Sequence, residues 1–394
     1  MRILYSHRIR SRDGQGVHLE AMVAALRAAG HEVRVVGPPG FDAAGLGDDS
    51  PGLARFRRLM PRWIAELAEL AYTVPSTWRL AWAAAAFRPD VIYERANLYH
   101  IAGLLVAAGR RVPLLLEVNA PLAEERGRFG GLGLPRLAGW LERLAWRGAS
   151  VALPVTSVLG QRLLAAGVPL SRICVVPNGI DLADFPTPKG PSALEDSMLT
   201  LGFIGFIRDW HGLEGVLRGI AAWRGASPLR LLLVGEGPAR AGLEQLAAEL
   251  GITDRVHFQG LAARAEVPAL VGRFDIALQP SAVPYASPLK LFEYMAAGRA
   301  IVAPNQPNLR EVLRHEENAL LFDPAVPGAF WAAVQRLAAD ASLRNRLGAS
   351  ARATILRREL TWQGNARRVV EIAEAEIERL KPPRARTPGL AASP

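Results

Sequence analysis

A single cysteine, Cys174, stands in a chain of 394 residues. One thiol excludes a disulfide framework, a thiolate zinc site and an iron–sulfur cluster. Its neighbours Ile173, Val175 and Val176 predict a buried strand over Ile173–Pro177 and an inert thiol. Lysine is scarce too: Lys189, Lys290 and Lys381 are the three, and the other 44 of 47 basic residues are arginines. The formal charge is +10, but the excess is dispersed, with 22 basic and 16 acidic residues to Pro186 and 25 and 21 beyond it. Neither half is a basic domain, so nucleic acid is not an expected partner. No apolar run approaches the ~18–20 residues of a membrane span. The first strand-like run starts at Arg2 without a signal peptide ahead of it. A cytoplasmic protein is expected, able at most to lie on the inner face of the plasma membrane.

What the chain does have is alternation. Short apolar runs recur at Arg2–His7, Glu32–Gly37, Asp90–Glu94, Pro113–Asn119, Val151–Val155 and Ile173–Pro177. A second set follows at Leu199–Gly205, Leu229–Gly235, Val256–Gly260, Ile276–Pro280, Ala300–Pro304 and Ala319–Phe322. Amphipathic stretches such as Val17–Ala29, Pro238–Leu250 and Pro288–Ala297 separate them. Continuous apolar strands between helices are what a parallel sheet covered on both faces requires. The fold class is therefore α/β, with two tandem Rossmann-like domains at residues 1–185 and 186–360. The break falls near Leu182–Ser197, where Pro186, Pro188, Gly190 and Pro191 crowd together. A last helix spans residues 361–381, and the Pro-, Ala- and Arg-rich tail 382–394 reads as disordered.

Two segments depart from this pattern. Gly52–Phe87 carries Arg55, Arg57, Arg58, Arg62 and Arg79 beside Phe56, Trp63, Trp78 and Trp82. Arg126–Arg147 adds Phe129, Trp140 and Trp146. Arginines beside tryptophans at helical spacing suit a helix lying on an anionic membrane surface. They equally suit ordinary amphipathic helices with their tryptophans in the core.

Ligands of parallel α/β sheets bind outside the carboxyl ends of the strands. After the first strand comes Arg12-Asp13-Gly14-Gln15-Gly16-Val17-His18, whose glycines fit a binding loop or a plain turn. The densest constellation is Pro284-Tyr285-Ala286-Ser287-Pro288-Leu289-Lys290-Leu291-Phe292-Glu293, ending at Gly298. Pro288 suits a first helical turn and Ser287 an N-cap, with amides free for an anion such as a diphosphate. Lys290 sits where the helix dipole disfavours a cation, so it asks for a partner. Glu293, one turn on, is placed to accept hydrogen bonds from vicinal hydroxyls, or to pair with Lys290. Gly205-Phe206-Ile207-Arg208-Asp209-Trp210-His211-Gly212 brings Arg208 and His211 to a strand end, to meet the same anion, to lie on the surface or to cap a helix. Gly235-Glu236-Gly237-Pro238 repeats the strand–glycine–helix pattern.

With these residues in place, the chain resembles the retaining, nucleotide-sugar-dependent glycosyltransferases of family 4, which have GT-B architecture. The resemblance covers about residues 1–380. It rests on Leu199–Gly212, Leu231–Pro238 (LLLVGEGP), Val256–Gly260, Ser287–Pro304 (SPLKLFEYMAAGRAIVAP) and Asn308–Phe322. In the first half it rests on Gly14–Gly30, Asp90–Gly103, Leu116–Pro121 and Arg172–Phe185. It implies two domains facing across a cleft, a hinge near Leu182–Ser197 and a final helix crossing back to the first domain. Glu293 is similar to the second glutamate of the family's E-x7-E motif, which holds the donor ribose. Ala286–Pro288 matches the loop that meets the donor sugar and diphosphate, flanked by Leu289 and Leu291. Tyr285 stands where the first glutamate of that motif is common. Phe206 and His211 stand where the family often has a phosphate-binding arginine and lysine, which makes Arg208 and Lys290 the expected substitutes. Asn119 stands where many members have histidine, while His18 remains in the matching glycine loop.

The implied reaction moves a sugar from a nucleoside-diphosphate sugar to an acceptor hydroxyl, with retention. Arg208, Lys290 and His18 are the catalytic candidates. Gly205, His211, Gly235 and Ala286–Leu289 with Leu291 and Glu293 form the donor side. Gly14, Gly16, Glu94, Glu117 and Asn119 form the acceptor side. No clustered carboxylates point to a metal, so neither a metal nor a cofactor is expected beyond the co-substrate. Expected partners are the nucleotide sugar, a saccharide or lipid-linked acceptor of bacterial envelope assembly, and an anionic membrane surface. A nucleotide-sugar epimerase of the same architecture and a non-catalytic nucleotide-sugar-binding subunit are the alternatives.

Overall fold

Leucine, isoleucine and valine runs form eleven strands in the computed structural model, which describes residues 1–9, 14–38, 61–186 and 198–381. The first half orders β1 (Arg2–Ser6), α1 (Gly14–Ala28), β2 (Glu32–Val36), α2 (Arg62–Ala71) and α3 (Thr73–Phe87). It continues through β3 (Val91–Arg95), α4 (Ala102–Arg110), β4 (Leu114–Val118), α5 (Leu122–Phe129), α6 (Pro135–Gly148), β5 (Val151–Pro154) and α7 (Ser157–Ala165). The second half runs β6 (Leu199–Ile204), α8 (Leu213–Ala222), β7 (Leu229–Val234), α9 (Arg240–Glu249), β8 (Val256–Gly260), α10 (Val267–Gly272) and β9 (Ile276–Leu278). Then come α11 (Leu289–Ala296), β10 (Ala300–Pro304), β11 (Leu320–Phe322), α12 (Ala329–Ala339), α13 (Ala341–Arg357) and α14 (Trp362–Leu380).

Both sheets are parallel, in the orders β2-β1-β3-β4-β5 and β11-β10-β9-β6-β7-β8. Alternation along each strand feeds two cores per sheet. Ile3 and Tyr5 point under α1 and α14, whereas Leu4 points under α3, α4 and α6. In the second sheet Leu229, Leu231 and Leu233 face one core, and Leu232 and Val234 the other. The strand order reverses between β1 and β3 and between β6 and β9, so a crevice opens at the carboxyl ends of those strands.

Ile173–Pro177 is not a strand of the first sheet, which among the described residues has five strands rather than six. Cys174 and Val176 donate to the carbonyls of Ala152 and Pro154, but only one bridge, Ala152 to Ile173, completes. Pro154 and Pro177 lack the donors a ladder needs. Cys174 is half-buried, and burial pushes its thiol above the ordinary value.

The final helix α14 packs on α1. Trp362 stacks on His18 with ring centroids 4.8 Å apart, and Asn365 donates to the Pro177 carbonyl at 2.6 Å. A Cβ on Gly179 would lie 2.7 Å from the Thr361 carbonyl carbon, so the outgoing and returning chains touch backbone to backbone. The segment 187–197 of the expected hinge and the tail 382–394 lie outside the described residues. So do Arg12 and Asp13 of the first glycine segment and Arg55–Arg58 of the first arginine–tryptophan segment. Of the tryptophans in the two arginine-rich segments, Trp146 enters the core, whereas Trp63, Trp78, Trp82 and Trp140 are exposed.

Candidate active site

The loops after β6 and β7 interlock through glycines at φ 131° (Gly205) and 130° (Gly235). A Cβ on Gly235 would lie 2.1 Å from the Gly205 carbonyl oxygen. Gly205 donates to Val234, and Gly235 to Gly260, at 2.9 and 2.8 Å. This backbone-on-backbone packing admits no side chain, and it sets the path of the segment that carries Arg208 and His211.

His211 is buried and tautomer-locked. The Arg208 backbone N–H donates to its Nδ1 at 3.2 Å, which leaves the ring proton on Nε2. Burial first, and then the Lys290 and Arg208 cations, push its pKa down to about 2, so the ring is neutral. Its ring packs on Trp210 and against the edge of Phe203. Lys290 Nζ lies 3.4 Å from His211 Nε2 and 3.9 Å from the centre of the Phe203 ring. Burial lowers Lys290 to about 7, with Glu293 pulling the other way. Glu293 is pushed up by burial, against the pull of Arg264 and Lys290. Arg208 is exposed, with its guanidinium carbon 4.8 Å above the Phe206 ring.

Helix α11 starts one residue later than expected. Pro288 (φ −67°, ψ 121°) is its N-cap, and no side chain caps it, Ser287 included. Leu289, Lys290 and Leu291 therefore form the first turn, and Leu291 closes it by donating to Pro288 at 3.1 Å. The amides of Leu289 and Lys290 have no partner within the helix, as helix geometry requires.

The preceding loop is fixed by its carbonyls. Thr156 Oγ1 donates to Tyr285 O at 2.9 Å, Asn308 Nδ2 to Ala286 O at 2.7 Å, and Asn178 Nδ2 to Ser287 O at 2.5 Å. Tyr285 is buried, and its hydroxyl donates to Glu125 Oε2 at 3.1 Å, from the second half to α5 of the first. Thr156 and Glu125 were not legible as site residues, because each acts across more than 100 residues of chain. Asn178 and Asn308 carried a signal only as parts of their matching segments.

In the first half, Glu117 and Asn119 meet His18 with Arg95, Tyr5 and Tyr93. Tyr93 and Tyr5 donate to Glu117 Oε2 at 2.8 and 3.2 Å, and Asn119 Nδ2 to Oε1 at 2.5 Å. Arg95 Nη1 hydrogen-bonds the same carboxylate and donates to His18 Nδ1 at 2.8 Å. Burial opposes the Glu117 charge, but His18, Arg95 and the hydrogen bonds from Asn119 and Tyr93 bring its pKa down to about 2. Burial lowers His18 to about 4, Glu117 opposing and Arg95 assisting. His18 is thus a buried, neutral ring held between Arg95 and Trp362. Gly14 and Gly16 lie in the first turn of α1 rather than in a loop. Glu94 occupies a separate pocket, where it accepts from Ser6 Oγ and the Gly103 amide, both at 2.8 Å, with His100 at 3.5 Å.

Residues 12–184 match the family model described as Glycosyltransferase Family 4, and residues 199–340 the model described as Glycosyl transferases group 1. The MMP alpha-(1→4)-mannosyltransferase of Mycolicibacterium hassiacum is 27% identical over 414 residues, covering 96% of this chain and 99% of that protein. The lipopolysaccharide core biosynthesis glycosyltransferase LpsD of Rhizobium meliloti is 32% identical over 173 residues, 44% of this chain and 47% of its own. The crystal structure of Anabaena HepE in complex with UDP superposes with a TM-score of 0.72 at 17% identity, covering 95% of this chain and 100% of that one.

Proposed function

Because the chain belongs to the glycosyltransferases of GT-B architecture, we propose that it moves a sugar from a nucleoside-diphosphate sugar to an acceptor hydroxyl with retention of configuration, in the assembly of envelope polysaccharide or glycolipid. The observation that carries this is the pair His211 Nε2 and Lys290 Nζ, 3.4 Å apart at the start of α11. When Lys290 carries its charge, two donors face one another and call for a shared acceptor, which the leaving diphosphate supplies. Together with the first amides of α11 they offset the charge that grows as the bond from the anomeric carbon to the diphosphate breaks. No metal is required in this scheme. Arg208, whose backbone amide holds His211, joins them in this scheme through its exposed guanidinium. Glu293, one turn further, takes the ribose hydroxyls. The acceptor approaches from the carboxyl ends of β1, β3 and β4, where Glu94, Glu117 and Asn119 sit. There the buried Glu117–Arg95–His18 cluster holds the acceptor wall rigid rather than exchanging protons itself. The names of the mannosyltransferase and lipopolysaccharide-core relatives support transfer to a saccharide.

A panel of nucleotide sugars, each incubated with and without short oligosaccharide acceptors, tests the proposal by product analysis. Transfer requires acceptor-dependent release of nucleoside diphosphate. Conversion of the donor alone into an epimeric nucleotide sugar supports the epimerase instead, and no turnover with tight nucleotide binding supports a binding subunit.

A further inference from the structure

Four exposed tryptophans are unusual in one half of a chain, because single exposed apolar residues are ordinary but clusters of large ones mark an interaction surface. The exposed face of α3 consists of Val74, Pro75, Trp78, Trp82, Ala85 and Ala86. Val74, Trp78 and Trp82 are spaced four apart, so they form one stripe, and they are 72, 71 and 62% exposed. The helix has no acidic residue, and neither does α4 beside it. On α6 the exposed stripe reads Arg136, Trp140, Arg143 and Arg147.

These helices form one continuous face. Helices α3, α4 and α6 all cover the same side of the first sheet, through Leu80, Val106 and Trp146. A Cβ on Gly148 would lie 2.5 Å from Leu104 Cδ1, so the end of α6 rests on α4. A Cβ on Gly133 would lie 2.5 Å from the Trp63 amide, so the entry to α6 rests on the start of α2, where Trp63 is half exposed. Every acid on these elements is engaged inward. Glu66 is fully buried and accepts from the Gly133 and Leu134 amides and the Tyr99 hydroxyl. Glu69 pairs with Arg126 at 2.6 Å, and Glu142 accepts from the Ala123 amide.

We propose that this face of α2, α3 and α6 docks the enzyme on a bilayer containing anionic phospholipid, with the tryptophans at the headgroup–acyl boundary and the arginines on lipid phosphates. Tryptophan supplies an amphipathic ring suited to that boundary, and arginine a planar fork suited to phosphate. A second copy of the chain is the poorer occupant, since a two-fold contact would set the exposed arginines of α6 among others of the same sign.

The test is flotation of the full chain with vesicles of phosphatidylcholine alone, and with about 30% phosphatidylglycerol at about 150 mM salt. The wild type floats only with the anionic vesicles. Trp78→Ser with Trp82→Ser, and Arg136→Glu with Arg143→Glu, each lower the bound fraction about tenfold while the melting temperature stays unchanged. Binding equal on neutral and anionic vesicles, no flotation of the wild type, or flotation indifferent to both pairs overturns the proposal. So does light scattering that shows a dimer which the tryptophan pair abolishes. None of these outcomes depends on nucleotide binding, so they leave the transferase assignment standing or falling separately.

Discussion

His211 Nε2 and Lys290 Nζ face each other at 3.4 Å, one on the loop after β6 and the other in the first turn of α11. The Arg208 amide holds His211 Nδ1, so the histidine side of this contact is a donor. A charged lysine offers only donors as well. Removing either should weaken the binding of a nucleoside diphosphate. Charge-assisted hydrogen bonds contribute about 1.5–3 kcal/mol, so Lys290→Met should weaken it by about ten- to a hundredfold. His211→Ala should cost less, about tenfold, since the ring is neutral. Equilibrium titration of UDP and GDP checks both.

Lys290 titrates near 7 in the free protein, because burial penalises its charge. A diphosphate favours the charged form, so the complex holds a proton that the free protein has partly released above that pH. Affinity should therefore fall as pH rises through the range 7–9, and binding at pH 8 should draw a proton from the buffer. Calorimetry in buffers of different ionisation enthalpy measures the uptake. Lys290→Met should abolish its part of that dependence, and Lys290→Arg should keep the charge without the titration.

The buried His18 makes the first half acid-sensitive. Its pKa falls from 6.5 to about 4 on folding, so the unfolded chain binds the extra proton and stability drops as pH falls across that interval. Glu117 works in the interval below. Its stabilisation is present above 4.5 and lost as pH falls toward 2. His18→Gln should flatten the fall in melting temperature between pH 7 and 5. Glu117→Ala, which strands the buried Arg95, should cost about 3–5 kcal/mol in a denaturant titration at neutral pH.

Glycine substitutions separate the interlocked loops from ordinary helix. Gly235→Ala places a Cβ 2.1 Å from the Gly205 oxygen at a φ of 130°, and should cost more than about 3 kcal/mol and remove nucleotide binding. Gly215→Ala, in α8 with nothing within 4 Å of the new carbon, should gain about 0.5–1 kcal/mol and leave binding intact. Paired melting curves and titrations distinguish the two.

Strand identity was legible because parallel strands covered on both faces are continuous apolar runs, and all six runs of the second half form strands. Ile173–Pro177 misled because its apolar residues look like a strand, while of the two prolines that stop the ladder Pro154 lies on the neighbouring β5 and Pro177 only at the end of the run. The SPLKLFE segment announced itself through Lys290, a cation at an unfavourable helix end. The tautomer of His211 was not legible, since it depends on a backbone amide three residues away and a loop path set by Gly205 and Gly235. Nor were the bonds that Thr156 and Asn308 make to the loop carbonyls, because long-range hydrogen bonds leave no local periodicity. The tryptophans left two readings open, as burial is a property of neighbours rather than of a helix's own spacing.

Isothermal titration of UDP and GDP into the wild-type chain, Lys290→Met and Glu293→Ala tests the donor site most directly. Saturable binding of at least one nucleotide, weakened about tenfold or more by each substitution, is the predicted result. Absence of binding to the wild type, or affinities the two substitutions leave unchanged, contradicts it.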